Sequence, residues 1–222
     1  APDASAFHRD LVGYGAEPTP TQELARRLSV DTIQGNHDRE IASADATPGT
    51  SASARRTREW TRTALSAAEL EWLSALPAIA VERAWVAVHG CYLNTTYVNG
   101  YVTDTMLEAN LEAVARRDDL PKLALCGHTH VGRFAFRGAD GVVSRRGEGV
   151  HPIPPRADVV LVNPGAVGQP RDGDPRASFA VLDLGARTVT FHRVAYDVER
   201  AARAIRAAGL DASLAERLYE GR

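Results

Sequence analysis

The sequence predicts an α/β fold, a four-layer α/β/β/α sandwich of two mixed sheets with outer helices. Three observations predict it. From Thr21 to His130, short apolar runs alternate with amphipathic stretches, the pattern of strands covered by helices. Three of those runs end in the same way, at Gly35-Asn36-His37-Asp38, His89-Gly90 and Gly127-His128-Thr129-His130. Beyond Arg133 the pattern changes to strand-like runs separated by glycine turns, which supplies a second set of strands. With 222 residues, the chain is long enough for one such core, and residues 1–222 are expected to form a single domain.

Thr21 to Leu28 reads as a short helix, and Val30 to Gln34 as a strand running into Gly35. Residues 43 to 58 are rich in Ser, Ala, Thr and Arg around Pro48-Gly49 and read as a surface excursion. Ser66-Ala67-Ala68-Glu69 has capping-box spacing, so a helix carrying Leu70, Leu73 and Leu76 opens there and stops at Pro77. Ala84 to Val88 is a buried strand, Leu107, Leu111 and Val114 mark one face of a helix, and Leu123 to Cys126 is the next strand. Arg133 to Phe136 and Val142 to Arg145 flank Gly138-Ala139-Asp140-Gly141 as a hairpin. Asp158 to Val162, Ser178 to Leu184 and Val189 to Val194 complete the strands, and a helix carrying Val198, Ala201, Ala202 and Ile205 ends near Gly209.

Composition narrows the function classes. The formal net charge is −2, from 26 Lys and Arg against 28 Asp and Glu, so no nucleic-acid or acidic-lipid surface is advertised. No apolar run is long enough to span a membrane and no signal peptide is visible, which leads to the expectation of a soluble, cytoplasmic protein. Cys91 and Cys126 lack metal-ribbon or redox spacing and are expected to be reduced and structural.

The chemistry lies where the runs end. Asn36, His89, His128 and His130, together with Asp10, offer imidazole nitrogens, an amide oxygen and a carboxylate. That mixed set suits borderline divalent ions such as Mn, Fe, Zn or Ni better than Ca or Mg. A single histidine at a strand end is usually just packed, but here separate strand ends deliver the same chemistry, and four of the seven histidines lie in these motifs. In open α/β sheets, ligands bind at that edge.

In order and spacing, Asp10-Leu11-Val12-Gly13-Tyr14-Gly15, Gly35-Asn36-His37-Asp38, Val88-His89-Gly90 and Gly127-His128-Thr129-His130 resemble the calcineurin-like metallophosphoesterases. Asn163 to Arg171 resembles a loop of the small bacterial phosphodiesterase-like members, and the resemblance runs from Asp10 to about residue 196. It implies hydrolysis of a phosphate ester, as a phosphodiesterase or phosphomonoesterase, by water activated between two divalent ions. Residue by residue, it implies that Asp10 bridges the two ions, that Asn36, His89 and His128 complete one site, and that His130 belongs to the other. It also implies that His37 is the general acid, with Asp38 orienting its ring. A phosphorylated small molecule, a nucleotide or a phosphoprotein would be the substrate.

The chain also departs from the family pattern. No Asp-x-His motif, which supplies two ligands to the first ion, occurs anywhere in it, and Arg9 stands where the family has Gly. The expectation is that Ala1 is a cut edge and that a first strand-helix unit of about thirty residues is missing. A second reading therefore stands beside the enzyme: a catalytically silent relative that binds one metal or a phosphorylated ligand. Arg171 is a candidate donor to a substrate phosphate, weighed against an exposed loop arginine, and His8 a remote substitute ligand. His151, read as lying in a loop, and His192, in a late strand, are expected to be structural; Tyr92, Tyr97 and Tyr101 either line a pocket or pack a loop.

Overall fold

The computed structural model describes residues 10–28, 31–44, 51–93 and 97–222. Expectations placed on His8, Arg9 and Val30, on Pro48-Gly49, and on residues 94–96 lie outside the described residues.

Four helices come first. α1 (Pro18–Arg27) starts with proline in its first turn, where the missing N–H costs nothing. α2 (Asn36–Ser43) begins inside the Gly-Asn-His-Asp motif. α3 (Ala52–Ala64) corrects the reading of 43 to 58 as an excursion without regular structure: Ser51 caps its first turn by accepting the Ala54 N–H, and Thr57 and Thr61 are buried along it. α4 (Ala67–Ser74) has the expected capping box, with Ser66 and Glu69 exchanging hydrogen bonds. Leu11, Val12, Ala25, Ile41, Leu65 and Leu73 form the core shared by this group.

The strand expected at 30–34 is reduced to a single bridge residue, Thr32. Gln34 shows why. Its backbone N–H goes to the Pro77 carbonyl and its side-chain amide to the Leu73 carbonyl, so the end of α4, not a neighbouring strand, takes its donors.

A six-stranded mixed sheet forms the centre. Its strands are β1 (Ile79–Val81), β2 (Val86–Val88), β3 (Leu123–Leu125), β4 (Arg133–Gly138) and β5 (Gly141–Arg146), joined by β7 (Val159–Asn163) in the order β1-β2-β3-β7-β4-β5. β2, β3 and β7 run parallel, and every residue in them is buried, as expected for strands covered on both faces. A smaller antiparallel sheet consists of β6 (Gly149–Pro152), β8 (Ala177–Asp183) and β9 (Thr188–Val194), in the order β6-β9-β8.

Alternation along the strands divides the apolar residues between two cores. Trp85, Ala87, Leu123, Leu125, Phe134, Val160 and Val162 face Val189 and Phe191 of the small sheet. Val86, Val88, Ala124, Val159 and Leu161 face the other way, where α5 (Leu107–Ala115) covers them with Leu107, Leu111 and Val114. His151 lies in β6 and not in a loop. It is buried between the sheets, stacked on Phe134 with ring centroids 4.8 Å apart and edge-on to Phe191 at 5.6 Å. His192 is on the outer face of the small sheet, stacked on Phe179.

The chain ends in two helices where one was expected. α6 (Val198–Ala207) and α7 (Ala212–Glu220) bury Ala202 and Ile205 against Leu214, Ala215 and Leu218, and Tyr14 and Ala16 pack onto that pair. Among the described residues, no helix is long and apolar enough to cross a membrane.

Among the described residues, Phe134 is the largest fully buried side chain, and it sits where the two sheets meet. Phe134→Ala is expected to cost about 3–5 kcal/mol of stability, read from the denaturant midpoint, because a β-sandwich core cannot collapse around the lost ring.

Candidate metal centre

Parallel strands place the candidate ligands. β2 ends at Val88 and delivers His89; β3 ends at Leu125 and delivers the Gly127-to-His130 turn. The two ends are tied by a hydrogen bond from the Gly127 N–H to the His89 carbonyl, 2.9 Å. Asn163, at the end of β7, donates its side-chain amide to the Gly127 carbonyl (2.9 Å) and to Thr129 Oγ1 (3.0 Å), so a third strand end fixes the same turn. Asn36 enters from the first turn of α2, and Asp10 from the loop that precedes α1.

His89 Nε2 is the point of convergence. Asn36 Oδ1 lies 3.0 Å from it, His128 Nδ1 2.9 Å and Asp10 Oδ2 3.4 Å. Ligand atoms of Asp10, His89 and His128 all fall within 4.8 Å of one another. A ring nitrogen carries at most one proton, so this nitrogen cannot satisfy three such neighbours, and Asp10 Oδ2 is buried without accepting a hydrogen bond. Lone pairs that face each other at these distances fit a cation between them. The donor set of two imidazoles, a carboxylate and an amide oxygen fits a borderline divalent ion.

His130 stands on the other side of Thr129. Its Nδ1–H donates to the Gln169 carbonyl, 2.6 Å, which leaves Nε2 as a lone-pair donor. Tyr14 lies between His130 and His37, edge-on to the first at 5.6 Å and tilted over the second at 4.3 Å. Gly13 makes that packing possible: its φ is +111°, and a Cβ there would fall 2.3 Å from His37 Nδ1. Three of the residues expected as ligands themselves have left-handed backbone, Asp10 (φ 45°), His128 (64°) and His130 (60°).

Residues 10–187 match the calcineurin-like phosphoesterase superfamily domain. The chain belongs to that superfamily. A metallophosphoesterase from Sphaerobacter thermophilus is 33% identical in sequence and superposes with a TM-score of 0.82, over 96% of this chain and 86% of that one. The hypothetical protein PH1004 from Pyrococcus horikoshii has the same fold at 20% identity, with a TM-score of 0.78 over 97% of this chain and 84% of that one. In sequence, the uncharacterized protein MJ0912 of Methanocaldococcus jannaschii is 28% identical over 216 residues, 96% of this chain and 84% of that protein.

In this calcineurin-like phosphoesterase, the charges at the site are arranged for an incoming cation. Burial, then the neighbouring His130 and Arg171, lowers His128 to about 4; burial and Arg171 lower His130 to about 4, against its bond to Gln169. Burial, Arg58 and the surrounding histidines hold His37 down at about 3. Burial first, and the Asp38 carboxylate second, push Asp10 well above the usual carboxylate range. These imidazoles are therefore neutral near pH 7, and burial disfavours the charged form of Asp10, until a cation changes the local field.

One expected role is corrected. Asp38 is fully buried, but it does not hold the His37 ring: its Oδ1 accepts the Val12 N–H and its Oδ2 the Gly35 N–H. Its carboxylate closes the junction between the Asp10 loop and α2, while the His37 ring is positioned by Tyr14 and Gly13. Burial lifts Asp38 to about 6 against those amide bonds. Tyr14 lies in the Asp10-to-Gly15 motif, and Asn163 and Gln169 lie in the Asn163-to-Arg171 loop, but the sequence assigns none of the three a role.

Above about pH 5, His128 and His130 are already neutral while burial favours the protonated form of Asp10, so protons displaced by Mn binding are expected to come from Asp10 and not from these histidines. Calorimetry in two buffers of different ionisation enthalpy measures this release. Under saturating metal, Asp10→Asn removes it; histidine-derived release would persist in that variant.

Proposed function

We propose that the protein hydrolyses a phosphate ester at a centre of two divalent ions, of the Mn, Fe, Zn or Ni type. The observation that carries this reading is the convergence of Asn36, His128 and Asp10 on His89 Nε2, with His37 beside them. One ion would be held by Asp10, Asn36, His89 and His128; a second would take Asp10 and His130. Bound ions supply Lewis acidity toward the phosphoryl oxygens and the attacking water.

The side chains then have separate tasks. The His37 backbone N–H donates to Asp10 Oδ1, 3.1 Å away, which fixes that carboxylate's orientation and leaves the ring free for proton transfer. The His37 ring, neutral among cationic neighbours, gains a proton when an anionic phosphate reverses the sign of its surroundings, and passes it to the leaving oxygen. Arg171 donates to Tyr14 Oη (3.0 Å) and Gln169 Oε1 (3.2 Å), and its charge acts on His37, His128 and His130. The substrate classes compatible with this site are phosphorylated small molecules, nucleotides and phosphoproteins.

A second reading is favoured by one observation. The sequence has no Asp-x-His, and among the described residues the compact carboxylate-histidine cluster is Asp10, His89 and His128, which suits one ion in a catalytically silent relative. Metal content and turnover separate the two. The enzyme is expected to bind two Mn per chain and hydrolyse bis(4-nitrophenyl) phosphate or 4-nitrophenyl phosphate, with both properties lost in His89→Ala. One ion without turnover is the outcome for the silent relative.

His37→Ala is expected to lower kcat by about 10²–10⁴ on an alkyl phosphate ester, whose leaving oxygen needs a proton. The loss on a 4-nitrophenyl ester should be much smaller, since nitrophenolate leaves unprotonated. Equal losses on both would remove His37 from the acid role.

A further inference from the structure

A cavity of about 560 Å³ is lined by Arg171, which bonds to Tyr14, and by Ser213, Glu216, Arg217, Glu220 and Arg222. Its size is that of a small-molecule site, roughly 300–1,000 Å³. A smaller cavity of about 120 Å³ shares Ser213 and Arg217 with it and is lined on its inner side by His37, Gly13 and Tyr14. Arg217 thus stands at both, and through them faces the ring proposed to protonate the leaving group.

Charge accounts for what such a space would hold. Arg222 is paired with Glu220, which leaves Arg171 and Arg217 facing Glu216 on the rim. Arg171 is anchored on Tyr14 and Gln169. Among the described residues, the Arg217 guanidinium has neither a hydrogen bond nor an ion pair. His37 is nine-tenths buried, and its Nδ1 has no hydrogen-bond partner. The Asp211 carboxylate stays ionised, held down to about 2 by hydrogen bonds from Ser53 and Ser213, and its charge is paired with Arg56 at 3.7 Å.

The wall that carries Arg217 is also fixed at both ends. Asp211 caps α7 at its start, and at its end Gly221 takes a left-handed φ of +65° so that its carbonyl accepts the Gly173 N–H. A Cβ on Gly221 would meet the Asp174 backbone at 2.7 Å, so the helix end and the loop after Arg171 are held in contact.

From this arrangement we infer that Arg171 and Arg217 form a subsite for a second anionic group, carried on the leaving-group side of the substrate. The inference rests on the phosphoesterase reading for which phosphate is cleaved. It names the substrate class as a phosphate ester with another phosphate, sulfate or carboxylate beyond the scissile bond, as opposed to one with a neutral leaving group. Arg217 supplies a bidentate fork for that group, and the paired Arg222 and Glu220 close the outer wall.

Two non-hydrolysable probes test it on the full, Mn-loaded chain: phenylphosphonate, and 4-phosphonobenzoate, which adds a carboxylate across the ring. Calorimetry is expected to give about tenfold tighter binding of 4-phosphonobenzoate, a preference that falls toward unity in Arg217→Gln and is only partly kept in Arg217→Lys, which retains the charge without the fork. Arg116→Gln removes the same charge from the exposed C-terminal cap of α5 and is expected to leave the preference intact. Equal or undetectable binding of the two probes by the unaltered chain overturns the subsite, as does a preference that survives Arg217→Gln or is lost equally in Arg116→Gln. Hydrolysis of bis(4-nitrophenyl) phosphate is followed in parallel. The preference without turnover leaves the subsite and removes the enzyme; turnover without the preference removes the subsite alone.

Discussion

The alignment of three parallel strand ends governs this molecule. β2, β3 and β7 finish side by side, and single hydrogen bonds join the turns at their carboxyl ends: Gly127 to His89, and Asn163 to Gly127 and Thr129. His89, His128 and His130 inherit their positions from those bonds. The loop beyond Asn163 then returns the Gln169 carbonyl to His130 and Arg171 to Tyr14. Because β2, β3 and β7 are buried on both faces, a slip of one residue would exchange side chains between two close-packed cores, so the core sets the spacing of the site.

The helices contribute the other half by a different route. α2 brings Asn36 and His37 to the sheet edge, and Asp38 at its first turn staples it to the Asp10 loop through the Val12 and Gly35 amides. A buried carboxylate with two charge-assisted amide bonds defines a junction more sharply than apolar contact alone. The cluster concentrates polar atoms where burial is unfavourable to charge. Among the described residues it is assembled from neutral rings and an acid whose charge burial disfavours, so a cation and an anionic substrate would supply its charges.

Much of this architecture is legible in the sequence, and the failures have physical causes. Periodicity locates β3, β7, β8, β9, α5 and α6 because each buries one regular face or both. α3 escapes because its buried positions are Thr57 and Thr61, which register as polar in a hydrophobic pattern. α7 escapes because Gly209 reads as a terminator; the Asp211 cap, with Leu214, Ala215 and Leu218 after it, is the signal that marks it. β6 is hidden by Pro152 and by His151, whose burial depends on a phenylalanine stack from a distant strand. The candidate ligands are legible because they sit at motif positions. The role of Asp38 is not, because spacing along a chain does not say which amides a carboxylate will meet.

Left-handed backbone at Asp10, His128 and His130 has one further consequence. A side chain held there is strained by of order 1 kcal/mol relative to an ordinary conformation, less for aspartate than for most residues, and glycine would relieve it. At these positions, replacement of a candidate ligand by glycine would thus recover part of its cost in folding stability, and a relative that no longer needed the proposed hydrolysis would meet less resistance to shedding these side chains than at an ordinary buried position.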